Sequence, residues 1–412
     1  MVDYSFTREQ DEFRADIKEF CEKEIAPLSK ELEGTRVMSR DVIEALARKN
    51  LLGMMIDPAF GGLGLDAQTA GIAAEELARA DPNCSIPVYF LVVNAWAYLL
   101  DKYGTEEAKR EILPDVLKGN TFLGIATTES VGGSDLGAME TTITKTDRDS
   151  TEGGVGDGYV VNGGKMFISG VREAIRDGGG HITLAKMDPS KGTRGMNLFY
   201  LPISNGEKKE SGIEPTYITE MGRDGISWGG FTIDNVEIPK RYLLGEEEKG
   251  FYIVHEGYEL ARGLIGMVCV GAAEKAMENG IRYIKQRRAF GKPIGKYEGI
   301  QFKLAEDHVK IESLRHITQK ALWTYDQERE GNAERFEVSL AAAMSKSVAT
   351  QWSFDVINNV MQWQGAFGYS ALCPEQKALR GVRSFSLAEG TAEVMRLIIS
   401  RELLGKEFLA YR

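Results

Sequence analysis

In "SLAEGTAEVMRLIISREL" (386–403), Glu389 stands directly before a glycine and a threonine, where an amphipathic helix begins. A carboxylate in that place can do one of two things. It can cap the helix, because Ser386-Leu-Ala-Glu389 fits the S/T-x-x-D/E capping box. It can also act as a general base, if an apolar pocket raises its pKa toward working pH. The apolar helix residues start late, at Val394, Leu397 and Ile398, which makes Thr391 the better cap. Glu389 is then left just outside the helix, where it can face a reactant.

Other chemistries find little support. Glycine is frequent, with 46 copies, yet no G-x-G-x-x-G lies at a strand-to-helix junction and no G-x-x-x-x-G-K-S/T occurs. "GISWG" (225–229) matches the G-x-S-x-G nucleophile elbow, but a strand-like stretch follows it where a helix is required. The four histidines, His181, His255, His308 and His316, form no H-E-x-x-H. Cys21, Cys84, Cys269 and Cys373 have no paired spacing, which argues against a zinc site or a disulfide framework.

The elements that must hold a catalytic residue follow from length and periodicity. At 412 residues the chain exceeds one ordinary core. Residues 1–121 read as a helical domain, with candidate helices at 7–28, 41–51, 69–80 and 85–100. Residues 122–241 change to short runs rich in Thr, Ile, Val, Tyr and Phe, separated by turn clusters such as "DRDSTEGGVGDG" (147–158). They predict a small β-barrel or sandwich. Residues 242–412 return to long helices, at 250–288, from 298, at 334–363 and at 392–404, and predict a four-helix bundle. The stretch between Gly170 and Ile182 reads as a solvated loop. The fold class is therefore α+β multidomain, with a β domain between two helical ones.

Three separated stretches together resemble the acyl-CoA dehydrogenase family of flavoenzymes. "ATTESVGGSD" (126–135) is similar to its T-E-x-x-x-G-S-D signature. "QRRAFGKPI" (286–294), with "IQFKLAE" (300–306), is a second match. "AEGTAEVMRLIISREL" (388–403) is like its Glu-Gly-Thr segment, and "GGLGLD" and "FTIDNVEIP" add weaker matches. The likeness runs in order from about residue 6 to residue 406. It implies FAD-dependent α,β-dehydrogenation of an acyl-CoA thioester. Glu389 matches the catalytic carboxylate that removes the α-proton, and its backbone N–H would help to hold the thioester oxygen. Ser134, Arg262 and Gly390 match positions beside the acyl-CoA. The alternative base position of some members falls on Ala261, which cannot serve.

The resemblance also implies the FAD contacts. Thr127, Thr128, Gly133 and Ser134 would meet the flavin. Phe167 and Ser169 match the residues that pack on it and bond its edge, although tryptophan is common at the first of these. Arg287 and Phe290 resemble residues that reach the FAD pyrophosphate and adenosine across a subunit boundary, and Gln301 lies on the same surface. Gln362 and Gly365 belong to a Gln-x-x-Gly-Gly-x-Gly loop in which Ala366 replaces the second glycine. Thr391 and Glu393 would complete the FAD side. One chain completing another's cofactor site implies a homo-oligomer, a tetramer as in the family.

A net charge of −11 repels phosphate backbones, so nucleic acid is not an expected partner. The longest apolar run (85–100) is too short for a membrane span, and no targeting segment is evident, so a cytoplasmic protein is expected. The expected electron acceptor is an electron-transferring flavoprotein. An acyl-CoA oxidase, a dehydrogenase acting on carrier-bound acyl groups and a flavin-free scaffold of the same fold stand as alternatives. The chain length favours the dehydrogenase over the oxidase.

Overall fold

The computed structural model describes residues 6–146, 157–408 and 410, so most of the turn cluster expected at 147–158 lies outside it. The N-terminal part is helical: α1 (Arg8–Phe20), α2 (Ala26–Glu31), α3 (Arg40–Arg48), α4 (Ala67–Ala80), α5 (Ser85–Tyr103) and α6 (Glu106–Leu117). A capping box starts α1, with Thr7 Oγ1 accepting from the Gln10 amide and the Gln10 side chain accepting from the Thr7 amide. The apolar run at 85–100 becomes α5, and every residue from Ser85 to Leu100 is buried. Helix α6, capped by Thr105, has no counterpart among the expected helices. Among the described residues, no helix is long and apolar enough to cross a membrane.

The middle part is one sheet built from β1 (Phe122–Ala126), β2 (Thr142–Lys145), β3 (Gly158–Ser169), β4 (Gly179–Lys186), β5 (Met196–Ser204), β6 (Ile213–Ile218), β7 (Trp228–Pro239) and β8 (Leu243–Leu244). The strand order is β6–β7–β3–β2–β4–β5–β8, with β1 pairing in parallel with β4. The β3–β7 register slips between Met166 and Ile168. This bulge places Phe167 in the left-handed region, at φ 63°. "GISWG" runs straight into β7, and Ser227 is buried and bonded to Glu173, so no nucleophile elbow forms.

The expected loop at 170–182 is instead a helix, α7 (Val171–Asp177), leading directly into β4. A buried carboxylate explains it. Glu173 is fully buried and accepts the amides of Met38 (2.7 Å) and Ser227 (3.1 Å), so it ties the N-terminal helices to the sheet. A solvated loop could not supply that bond to groups in the interior.

The C-terminal part comprises α8 (Gly250–Gln286), the hairpin β9 (Arg288–Ala289) and β10 (Lys292–Pro293), α9 (Glu298–Arg329), α10 (Arg335–Trp363), α11 (Pro374–Phe385) and α12 (Ala392–Leu404). Helix α11, with a proline in its first turn, has no counterpart among the expected helices. Helix α8 is central and packs on α4, α5, α9 and α10. Close approach depends on two of its glycines. A Cβ at Gly257 would lie 2.2 Å from the Trp96 ring, and one at Gly271 would lie 2.2 Å from the Glu75 carbonyl oxygen.

Candidate active site

The turn between α11 and α12 places the glutamate. Helix α11 ends at Phe385, and the chain reverses through two left-handed residues, Glu389 (φ 54°) and Gly390 (φ 89°). A left-handed glutamate is strained and needs support from its surroundings. That support comes from two buried cations on the main chain. Arg262 Nε donates to the Glu389 carbonyl at 3.0 Å, and Lys346 Nζ donates to the Gly390 carbonyl. Thr391 caps α12 by accepting from the Val394 amide at 3.3 Å. Glu389 is therefore not the cap. Among the described residues, nothing hydrogen-bonds its carboxylate or accepts from its amide.

The carboxylate opens into a cavity of 860 Å³ between the sheet and the two helical parts. Burial raises the Glu389 pKa, and Arg262 and Lys346 oppose the shift. Lys346 is pushed down to about 7, by burial first and then by Arg262, while Glu389 partly restores it. Tyr258 Oη lies 2.6 Å from Thr127 Oγ1 and joins α8 to the loop after β1.

The sheet provides the opposite wall. Phe167 is 49% exposed and turns its ring into the cavity from the β3 bulge. The Trp228 ring lies 5.1 Å away, tilted by 34°. Thr127, Thr128, Gly133, Ser134 and Ser169 line the same space, as do Arg262, Gly390 and Thr391. A large, strained aromatic presented inside a cavity with hydroxyls beside it fits a flat aromatic ring with polar edges. Below this wall, Lys165 and Glu129 form a buried pair at 2.8 Å, and Glu129 also accepts the amides of Glu140 and Thr141. That pair pins the 127–141 loop.

The remaining expected site residues lie elsewhere in this chain. Phe290 is 97% exposed at the tip of the β9–β10 hairpin, where it and Gly291 both have positive φ. Arg287, Gln301, Gln362 and Gly365 are also exposed. They share one end of the bundle, where Tyr283 Oη donates to the Gln364 carbonyl and Trp363 packs in a small core with Ile284, Ile300 and Leu304. Ala366 occupies a 3-10 turn (Gly365–Tyr369) without a positive φ, so the extra methyl suits the backbone. Glu393 is exposed and pairs with Arg396 at 3.3 Å.

Sequence reasoning missed Lys346, Tyr258, Trp228 and the Glu129–Lys165 pair. The first was findable, because Lys346 interrupts a small apolar stretch, "AAAMSKSVA" (341–349), on a helix whose neighbours are buried. Nothing local flags the others.

The chain matches the acyl-CoA dehydrogenase N-terminal domain over residues 7–120, the middle domain over 124–236 and the C-terminal domain over 248–404. It is 30% identical over 406 residues to an acyl-CoA dehydrogenase of Bacillus subtilis, covering 97% of this chain and 99% of that one. It is 29% identical over 411 residues to a 3-(aryl)acrylate reductase of Clostridium sporogenes, covering 97% and 99%. Its structure resembles butyryl-CoA dehydrogenase from Megasphaera elsdenii with a TM-score of 0.86 and 28% identity, over 98% of this chain and 100% of that one. The chain belongs to the acyl-CoA dehydrogenase family and is an FAD-dependent oxidoreductase.

Proposed function

We propose that this protein removes hydrogen across the α,β bond of an acyl-CoA thioester and yields the trans-2-enoyl thioester. The observation that carries this reading is the Glu389 carboxylate, unbonded and raised in pKa, facing the cavity wall that holds Phe167. Glu389 takes the α-proton. Its own amide is free to donate to the thioester oxygen as negative charge grows there. Arg262 and Lys346 hold the turn by its carbonyls, so the carboxylate keeps its aim without being tied down. Phe167 and Ser169, with the 127–134 loop, would hold and orient the flavin from the sheet side of the cavity. FAD, when bound, would supply the acceptor for the β-hydrogen as hydride, with an electron-transferring flavoprotein as the onward acceptor.

The exposed Arg287, Phe290, Gln301, Gln362 and Gly365 complete the cofactor site of a neighbouring chain in a homotetramer. The working division of the chain is 1–121, 122–241 and 242–412, and the protein is cytoplasmic. Anaerobic titration of the purified holoenzyme with acyl-CoA thioesters tests the activity: the flavin colour should bleach stoichiometrically, and a colour that persists with every thioester would overturn it. The name of the Clostridium sporogenes relative favours a second reading, in which the same residues act in reverse on an unsaturated acyl group. Oxidation of the reduced enzyme by an enoyl thioester, faster than the forward bleaching, would favour that direction.

A further inference from the structure

The wall that carries Phe167 is built on a stretch of β3 with one open edge. On one side this stretch pairs with β7, Met166 with Gly230 and Ser169 with Trp228. On the other side β2 pairs only with residues 159–162, and no strand among the described residues pairs with 165–169 there. A bulged strand with an unpaired edge needs other partners for its polar groups. The loop after β1 supplies one: the Met166 amide donates to the Thr128 carbonyl at 2.9 Å. His181 supplies another.

His181 lies on β4, opposite Gly124 of β1, and is fully buried. Its ring sits between Phe122 and Phe231, with centroids 5.5 and 5.6 Å away. Its Nε2 is 3.2 Å from the Ser169 carbonyl oxygen, while Nδ1 has no partner among the described residues. Burial lowers its pKa to about 4, so the imidazole is neutral and holds a single N–H. A carbonyl only accepts, which places that proton on Nε2. Gly124 makes room for the ring, since a Cβ there would lie 2.8 Å from His181 Cδ2.

A histidine in this place is costly. Nδ1 is left without a donor in apolar surroundings, and a leucine would fill the space without that loss. Packing alone therefore does not account for the residue. The bond to Ser169 does. Ser169 is the last residue of β3 and lines the cavity, two positions beyond Phe167 with its strained φ of 63°. Through Met166 and Ser169, the open edge is held on both sides of the strained residue.

We propose that His181 is a positioning residue for the flavin: by holding the Ser169 carbonyl it fixes the end of the β3 bulge, and with it the aim of the Phe167 ring and the Ser169 side chain. The inference rests on the reading of this wall as the flavin face, and adds the group that stands behind it.

The test compares holoenzyme variants by FAD affinity, read from flavin fluorescence on dilution, and by the visible flavin spectrum. His181→Leu removes the donor and keeps an apolar filling. Affinity should fall about 3- to 10-fold, the range of one hydrogen bond, and the visible band should shift. His181→Gln restores an N–H donor and should recover most of both. Gly124→Ala crowds the ring without removing its donor and should shift the band in the same direction. Wild-type affinity and spectrum in His181→Leu would overturn the inference, and so would a loss that His181→Gln does not recover, because that loss belongs to packing. Where His181→Leu does not fold, the Gly124→Ala spectrum decides, and an unchanged band overturns the inference. Phe167→Ala and Ser169→Ala separate the two layers. If both leave the spectrum unchanged, the flavin-face reading fails and the inference with it; if they shift it and His181→Leu does not, the inference alone fails.

Discussion

Replacing Glu389 by glutamine tests the proposed role of the side chain without disturbing its support. Glutamine is nearly isosteric, and both anchors of the turn act on carbonyl groups, Arg262 on residue 389 and Lys346 on residue 390. Thioester binding should therefore persist, while proton removal is lost. General-base catalysis contributes about 10²- to 10⁴-fold, and at 1.36 kcal/mol per tenfold this is about 3–5 kcal/mol of barrier. Removing the carboxylate also removes the largest contribution that raises the Lys346 pKa, so that lysine should fall further below its value of about 7. The assay is anaerobic stopped-flow bleaching of the bound flavin by saturating acyl-CoA, with the dissociation constant of the thioester measured beside it. A bleaching rate within a few-fold of wild type would refute the assignment. Loss of thioester binding at an unchanged rate would place the side chain in the turn's architecture instead.

Further outcomes follow from the same geometry. The bleaching rate should rise with pH through a midpoint above the ordinary carboxylate range, because burial raises the Glu389 pKa and only the ionised form accepts a proton; a profile flat from pH 5 upward would contradict this. Lys346 has its pKa lowered by burial, so its contribution to stability is present above its unfolded value of 10.5 and is lost as the pH falls through about 7. Lys346→Met should therefore raise the denaturation midpoint more at pH 6 than at pH 10, relative to wild type, and an equal shift at both would count against a buried titrating lysine. Thr391→Ala removes the α12 cap and should cost about 1 kcal/mol in chemical denaturation. Phe290→Ala should lower the flavin-to-protein ratio after gel filtration at low concentration, and an unchanged ratio would detach the hairpin from cofactor binding.

Much of the plan was legible because it rests on periodicity. The change from helical spacing to short strands near residue 121, and back near 241, marks the helix–sheet–helix order that the structure shows. The late apolar start of α12 identified Thr391 as the cap. What stayed hidden depends on contacts between distant segments. Helix α7 exists because Glu173 reaches Met38 and Ser227, partners that lie far from it in sequence. The bulge that turns Phe167 outward is a slip in β3 against β7, and no residue at 165–169 signals it alone. Lys346 is the exception, since a lone charge in a run of small apolar residues on a buried helix face needs a partner inside the protein.

Helix α8 is unbroken from Gly250 to Gln286. It carries Arg262 at the cavity and, about 36 Å further along its axis, delivers the chain to the Arg287–Phe290 hairpin. A rod of that kind transmits rotation instead of absorbing it. Midway, Gly271 lies against the Glu75 carbonyl with no room for a methyl group. Filling that gap should tilt the whole rod, slowing turnover at one end and loosening the hairpin's grip at the other, from a position that touches neither.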